Sequence, residues 1–203
     1  MDRFALYYAP QPGSPLFAAA ATWLGRDNVS FDYDQLSPDG LSSERFHELT
    51  RAPFHYGFHG TLKPPFSLRS SVDEKQIFTE LKSFCKDRRR FGIGPLEVGW
   101  IGSFLCLQPM QPVRQLNSLA GDTVQQFDRF RREMSGEELA RRREAGLSPH
   151  QDQLLQQWGY PYVMEEFRFH LTLSSKVASP DERKHLEAAA KKHFPPSILS
   201  EVA

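Results

Sequence analysis

Cysteine is scarce in this chain, with only Cys85 and Cys106 among 203 residues. Two are too few for a disulfide framework and lack metal-ligand spacing, so both read as buried free thiols. No charge of one sign prevails: 25 Lys and Arg balance 25 Asp and Glu, for a net charge of zero. A dedicated binder of long nucleic acid usually carries a basic surplus, so neutrality points to a small or short substrate. No apolar run approaches the roughly 20 residues that a membrane span needs. The start, Met1 to Tyr8, has no long apolar stretch before Pro10 and Pro12. No signal peptide is expected, and the expected location is the cytoplasm. The glycine patterns of nucleotide and hydrolase sites (P-loop, Rossmann and Gly-x-Ser-x-Gly) are missing as well. His55 and His59 stand four apart, but Tyr56-Gly57-Phe58 supplies neither the helix nor the Glu of a His-Glu-x-x-His zinc site. His47, His150, His185 and His193 show no partner pattern. The expectation is a site with no metal and no cofactor.

What is present is an ordinary globular composition, 39% hydrophobic and 25% charged, long enough to bury a substantial core. Arg3 to Ala9 reads as a strand with Phe4, Leu6 and Tyr8 on one face and Arg3, Ala5 and Tyr7 on the other. Ser14 then caps a helix that Pro15 opens and Gly25 ends. A short helix is expected over Ser43 to Arg51, and an amphipathic one over Asp73 to Arg88 with Ile77, Leu81, Phe84 and Cys85 inward. Leu96 to Gln108 reads as two short strands, or one strand bent at Gly102. Another helix is expected over Val113 to Arg132. Residues 133–160 break the rhythm and read as a helical insertion, with helix starts at Ser135 and Ser148. The runs Arg88-Arg89-Arg90 and Arg141-Arg142-Arg143 are most simply solvated helix faces, with a phosphate-binding role as the alternative. A last helix is expected from Pro180 to His193.

The most informative feature is a repeated tetrapeptide. His59-Gly60-Thr61-Leu62 recurs as His170-Leu171-Thr172-Leu173. With ordinary residue frequencies, two of the seven histidines carrying Thr at +2 and Leu at +3 has a chance probability of roughly one in a thousand. Each copy falls in a strand-like stretch, Tyr56 to Lys63 and Phe167 to Ser174. Tyr56, Phe58 and Leu62 share one face of the first, with His59, Thr61 and Lys63 on the other. Phe167, Phe169, Leu171 and Leu173 share one face of the second, with Arg168, His170, Thr172 and Ser174 on the other. Each half then continues into a helix, but only the first copy is followed in sequence by further strands. The second half is therefore expected to be short, truncated, or completed by a strand from Arg3–Ala9 or from a partner chain.

On an extended strand, residues i and i+2 point the same way about 7 Å apart, so each copy presents an imidazole and a hydroxyl together. Two imidazoles across a phosphate suit phosphodiester cleavage, one as base and the other as acid, each role supplying typically ~10²–10⁴ in rate. Thr61 and Thr172 would hydrogen-bond the non-bridging oxygens. Lys63 and Arg168 would offset phosphate charge. Tyr7, turned away from Phe4 and Leu6, would stack on a base or sugar.

With these residues in view, the chain resembles the two-histidine phosphoesterase superfamily, which includes RNA 2′,3′-cyclic phosphodiesterases and 2′–5′ RNA ligase-like proteins. The resemblance implies an α+β bilobal fold with a pseudo-twofold axis, each lobe an antiparallel sheet with packed helices around a central cleft. It carries the catalytic histidines to His59 and His170 and the hydroxyl residues to Thr61 and Thr172. The stretches Arg3 to Pro10, Trp23 to Arg26, Tyr56 to Lys63, Trp158 to Val163 and Glu165 to His170 resemble a narrower bacterial branch assigned to phosphonate metabolism, often encoded near carbon–phosphorus lyase genes. Members of that branch usually continue past the last helix into further strands, whereas this sequence stops at Ala203.

Together these readings describe a single bilobal domain, with lobe cores over 54–132 and 161–203. They describe a metal-independent hydrolase that opens a small cyclic phosphodiester, the cyclic phosphate of a ribose or nucleotide. The alternative is a non-catalytic module that binds a phosphate ester or RNA end in the same cleft. The expected partner in either case is a small phosphorylated sugar or nucleotide, with no long nucleic acid and no membrane. The sequence leaves the oligomeric state open.

Overall fold

The computed structural model describes residues 3–30, 33–200 and 202. Met1, Asp2, Phe31, Asp32, Glu201 and Ala203 lie outside the described residues. The chain is mixed α/β. Five strands form one sheet in the order β1 (Arg3–Tyr8), β2 (Gly60–Ser67), β5 (Leu171–Thr172), β4 (Phe104–Pro109), β3 (Leu96–Ile101). The β2–β5, β5–β4 and β4–β3 pairs are antiparallel. Eight α-helices are found among the described residues: α1 (Pro15–Leu24), α2 (Ser43–Tyr56), α3 (Glu74–Lys86), α4 (Arg114–Asp128), α5 (Gly136–Arg143), α6 (Pro149–Trp158), α7 (Pro180–His193) and α8 (Pro196–Leu199). None is long and apolar enough to cross a membrane.

The chain forms two compact units. The first comprises Met1–Tyr7, Thr61–Phe91 and Arg114–Arg168. Its core gathers Leu6, Phe66, Ile77, Phe127 and Phe130, with Phe4, Leu81 and Phe84 packed against them. Val124, Leu154 and Val163 form a smaller cluster beneath the helical insertion. The insertion folds from its own caps. Ser135 and Ser148 each accept from the backbone N–H three residues on, while Glu138 and Gln151 reach back to the cap N–H. At the far end of α6, Gly159 adopts a left-handed φ of 78°. A Cβ there would also lie 2.9 Å from Arg131 Cδ. Gly159→Ala is therefore expected to cost about 1–2 kcal/mol, read as a lower urea midpoint at unchanged m-value.

The second unit comprises Tyr8–Gly60, Gly92–Val113 and Phe169–Ala203. Its buried centre includes Trp23, Phe46, Leu105, Leu107, Leu171, Leu173, Leu186 and Phe194. Helix α1 has the expected limits: Ser14 Oγ accepts from Phe17 N–H, and Gly25 closes the helix at φ 77°. Helix α2 overruns its expected end at Arg51 and passes through Pro53 to Tyr56. Pro53 cannot donate to the carbonyl of Leu49, and that carbonyl instead accepts from Ser175 N–H at 2.6 Å. Ser175 Oγ also accepts from Ala52 N–H at 3.1 Å. A tertiary contact thus replaces the bond that proline removes.

Three other expectations give way. The first motif's strand begins at Gly60, because Tyr56 belongs to α2, and it runs on through Pro64 and Pro65. The second motif's strand is only Leu171–Thr172. Cys85 is exposed, so only Cys106 is a buried thiol, and burial pushes its pKa up to about 12. Leu96 to Gln108 resolves into the hairpin β3–β4, turning at Gly102 with φ 58°. That hairpin pairs with the second motif, through Cys106↔Thr172 and Leu107↔Leu171. Sequence order assigned these strands to the first copy; the sheet places them beside the second.

Candidate functional site

The two His-x-Thr-Leu copies meet directly. Gly60 and Leu171, the residue between His and Thr in each copy, are cross-strand partners. A local twofold through that pair relates His59 to His170. In an antiparallel ladder the same register sets His59 across from Thr172. Alternation then puts His59, His170 and Thr172 on one face of the second unit's strands, with Leu171 on the other. Leu171 and Leu173 are fully buried, whereas His59, His170 and Thr172 are half-buried. The apolar residues of each motif anchor it, and the polar ones retain access to solvent.

His59 is held from below by its own chain. Its Nδ1 lies 2.8 Å from the carbonyl of Gly57. A carbonyl can only accept, so the proton sits on Nδ1 and the neutral ring keeps its lone pair on Nε2. Burial pushes the His59 pKa below the ordinary histidine value, and the charge of His170 adds to that, against the opposing Gly57 bond. The loop carrying Gly57 is fixed by two residues that sequence reasoning passed over. Asn28 Nδ2 donates to the Phe58 carbonyl at 2.6 Å, and Arg26 Nη1 donates to the His55 carbonyl at 3.1 Å. Gly57 has φ 75°, and a Cβ there would collide with the Asn28 side chain. Gly60 admits no Cβ either, because the Phe169 ring crosses its face. Both glycines stood inside the quoted motif, but only their neighbours show why they are glycine.

The second motif is braced on both sides. His170 stacks at 5.7 Å between centroids on Phe104 of β4. Beyond Thr172, Leu173 N–H donates to the Leu105 carbonyl at 2.8 Å, and the buried Ser174 hydroxyl accepts from Leu105 N–H at 2.8 Å. Trp23 Nε1 donates to the Leu173 carbonyl at 2.9 Å. Ser174, expected beside His170 and Thr172, is a structural bracket.

The remaining candidates lie in the first unit. Lys63 is 1% exposed, with Nζ 3.1 Å from the Val124 carbonyl and 3.3 Å from Asp128 Oδ1. It is committed to α4 rather than presented to solvent. Thr61 is half-buried in β2, Arg168 is exposed ahead of the second motif, and Tyr7 is exposed on the outer face of β1.

A family model described as "Protein of unknown function (DUF1045)" matches residues 61–203. This chain belongs to the DUF1045 family. Two curated relatives align over nearly all of it, and both are named "Ribose 1,5-bisphosphate phosphokinase PhnN". The one from Janthinobacterium sp. (strain Marseille) is 36% identical over 98% of this chain and 45% of its own length. The one from Laribacter hongkongensis (strain HLHK9) is 30% identical over 98% of this chain and 46% of its own. This DUF1045 chain therefore spans about half the length of the curated relatives it matches. No solved structure matches it. The relatives place the family in phosphonate metabolism, as the resemblance implied. They overturn the expected activity. A phosphokinase transfers a phosphoryl group, and neither a cyclic phosphodiesterase nor a non-catalytic phosphate-ester or RNA-end binder fits that name.

Proposed function

We propose that this chain takes part in phosphoryl transfer to a phosphorylated ribose, and that His59, Thr172 and His170 hold the acceptor sugar. The observation that carries the reading is the pair of relatives, both named for ribose 1,5-bisphosphate, each aligned over 98% of the chain. The chemistry of the histidine face agrees with it. In transfer to an oxygen acceptor, the new P–O bond forms as the donor's bridging P–O bond breaks, and a hydroxyl acceptor gives up its proton. A neutral His59 with its lone pair on Nε2 is suited to take that proton. The Thr172 hydroxyl is suited to donate to a phosphate oxygen. The sequence carries no P-loop, so the reading gives this chain the acceptor rather than the nucleotide. Thr61, Arg168 and Tyr7 stay candidate phosphate contacts by residue type within the first unit; Lys63 is already engaged by Asp128.

We also read the two copies as duplicated halves of the two-histidine type with its pseudo-twofold axis. The Gly60↔Leu171 pairing supports this, since it sets like position against like.

The test is calorimetric titration of the purified chain with ribose 1,5-bisphosphate. Binding is expected, weakened about fivefold in His59→Ala, the loss typical of a neutral hydrogen bond of about 1 kcal/mol. Binding should also weaken as the pH falls through the depressed His59 value, because protonation removes the acceptor at Nε2. No detectable binding at millimolar sugar bisphosphate would sink the reading.

A further inference from the structure

Within the first unit the chain forms a partly open cavity of about 140 Å³. Five arginines line it: Arg3 from β1, Arg131 and Arg132 just after α4, and Arg141 and Arg142 from α5. Glu138 is the acidic residue in its wall. Two of the five charges are answered locally. Arg131 pairs with Asp128 through Nε at 2.7 Å and Nη2 at 3.1 Å. Arg132 Nη2 meets both oxygens of Glu138, at 3.0 and 3.1 Å.

Arg3, Arg141 and Arg142 are different. Among the described residues, none of the three forms an ion pair. Arg3 donates to the Pro65 carbonyl at 3.0 Å, a neutral partner. Arg142 is half-buried with its guanidinium 5.8 Å from the centre of the Tyr160 ring. Burial lowers the Arg142 pKa, and the charges of Arg3 and Arg141 press it the same way, against opposing effects of Tyr160 and Glu138. Arg143, by contrast, turns aside to Asp152 at 2.6 Å. The run Arg141 to Arg143 is thus not simply a solvated face, since its middle member points its charge at a cavity. A second observation concerns hydrogen bonding. Arg132 Nε is buried and has no acceptor among the described residues. A buried donor of that kind is satisfied by a water or by an anion bound in the cavity. In a chain of zero net charge, five arginines against Glu138 and Asp128 around one cavity, three of them without an ion pair among the described residues, are a local electrostatic excess.

We propose that this cavity is a binding site for a small phosphate-bearing anion, with Arg3, Arg141 and Arg142 supplying the charge and Arg132 Nε a buried donor. Guanidiniums match the oxygens of a tetrahedral phosphate with paired N–H groups, which a lone carboxylate does not fill. The cavity is a few water volumes in size, enough for one phosphate group and too small for a nucleic-acid strand. None of the cavity's lining residues belongs to the histidine face, so the two readings can fail separately.

The experiment is titration of the full chain with inorganic phosphate, pyrophosphate and ribose 5-phosphate at constant ionic strength. The three ligands separate a free anion site from one that recognises an ester. Arg142→Gln should weaken the best of them about tenfold or more, the loss expected for a charge-assisted contact. Arg141 is exposed, so Arg141→Gln should weaken binding several-fold without disturbing packing. Arg142→Lys should fall between, since it keeps the charge and loses the fork. Arg89→Gln, at an exposed arginine that does not line the cavity, should leave all three affinities unchanged. Affinities within twofold of the parent in both Arg141→Gln and Arg142→Gln would overturn the proposal. So would no binding of any of the three anions at millimolar concentration.

Discussion

Trp23→Ala is expected to destabilise the chain by about 3–5 kcal/mol, as losses of large buried aromatics generally do. Trp23 is 0% exposed. Its ring meets Phe46 edge-on at 4.9 Å and Phe194 at 5.6 Å. It therefore ties α1 to α2 and to the end of α7. The indole N–H adds a polar obligation, because it is the donor to the Leu173 carbonyl just beyond the second motif. Removing the ring leaves a cavity and strips that buried carbonyl, two costs that add. Trp23→Phe separates them. It retains most of the apolar area and should cost about 1–2 kcal/mol, the range for an abandoned buried acceptor. Urea melts of the two variants measure both. Equal losses would mean that the hydrogen bond, not the packing, carries the residue.

The second large effect concerns Lys63, Asp128 and Arg131. Asp128→Ala is expected to cost about 3–5 kcal/mol, because it leaves the buried Lys63 ammonium without its counter-ion. It also releases Arg131, whose guanidinium the same carboxylate holds. Lys63→Met should be neutral to mildly stabilising, since it removes the buried charge and keeps the chain packed near Phe66. The pair also sets a pH dependence. Burial pushes the Lys63 pKa down to about 8 from its ordinary 10.5, with Asp128 opposing the shift. Between those values the unfolded chain holds a proton that the folded chain has released. Unfolding then takes up a proton, and stability rises with pH across the window. The parent urea midpoint should therefore climb from pH 8 to 10 relative to Lys63→Met. A flat difference over that range would refute the assignment. If Lys63→Met proved as damaging as Asp128→Ala, the ammonium would be a stabilising partner rather than a tolerated one.

Much of the local structure was legible because its causes are local. Ser14, Pro15 and Gly25 delimit α1 through a side-chain cap, a preset φ and a left-handed end. Ser135 and Ser148 announce the insertion helices by reciprocal capping that needs no distant residue. Alternation in Arg3–Tyr8 sorted Leu6 inward and Tyr7 outward as observed. The misreadings share a different cause. Pro53 reads as a helix stop until Ser175 arrives to satisfy Leu49. Lys63 reads as a free cation until Asp128 and the Val124 carbonyl enclose it. Arg142 reads as solvated until Tyr160 and Arg3 close around it. The activity was misjudged for another reason: paired histidines and hydroxyls suit phosphoryl chemistry in general, and side-chain type alone does not single out one reaction.

The sequence by itself determined the helix caps, the strand faces, the duplicated motif and the exclusion of disulfides, because these depend on residues a few positions apart. Only the tertiary structure decided which strands brace which motif. Sequence order put the hairpin after the first copy, yet β4 pairs with the second. It also decided that Gly60 and Leu171 face each other, which sets the two histidines in one symmetric arrangement. Strand pairing is a contest among non-local partners, settled by which apolar faces bury together, and no short stretch of sequence contains both contestants.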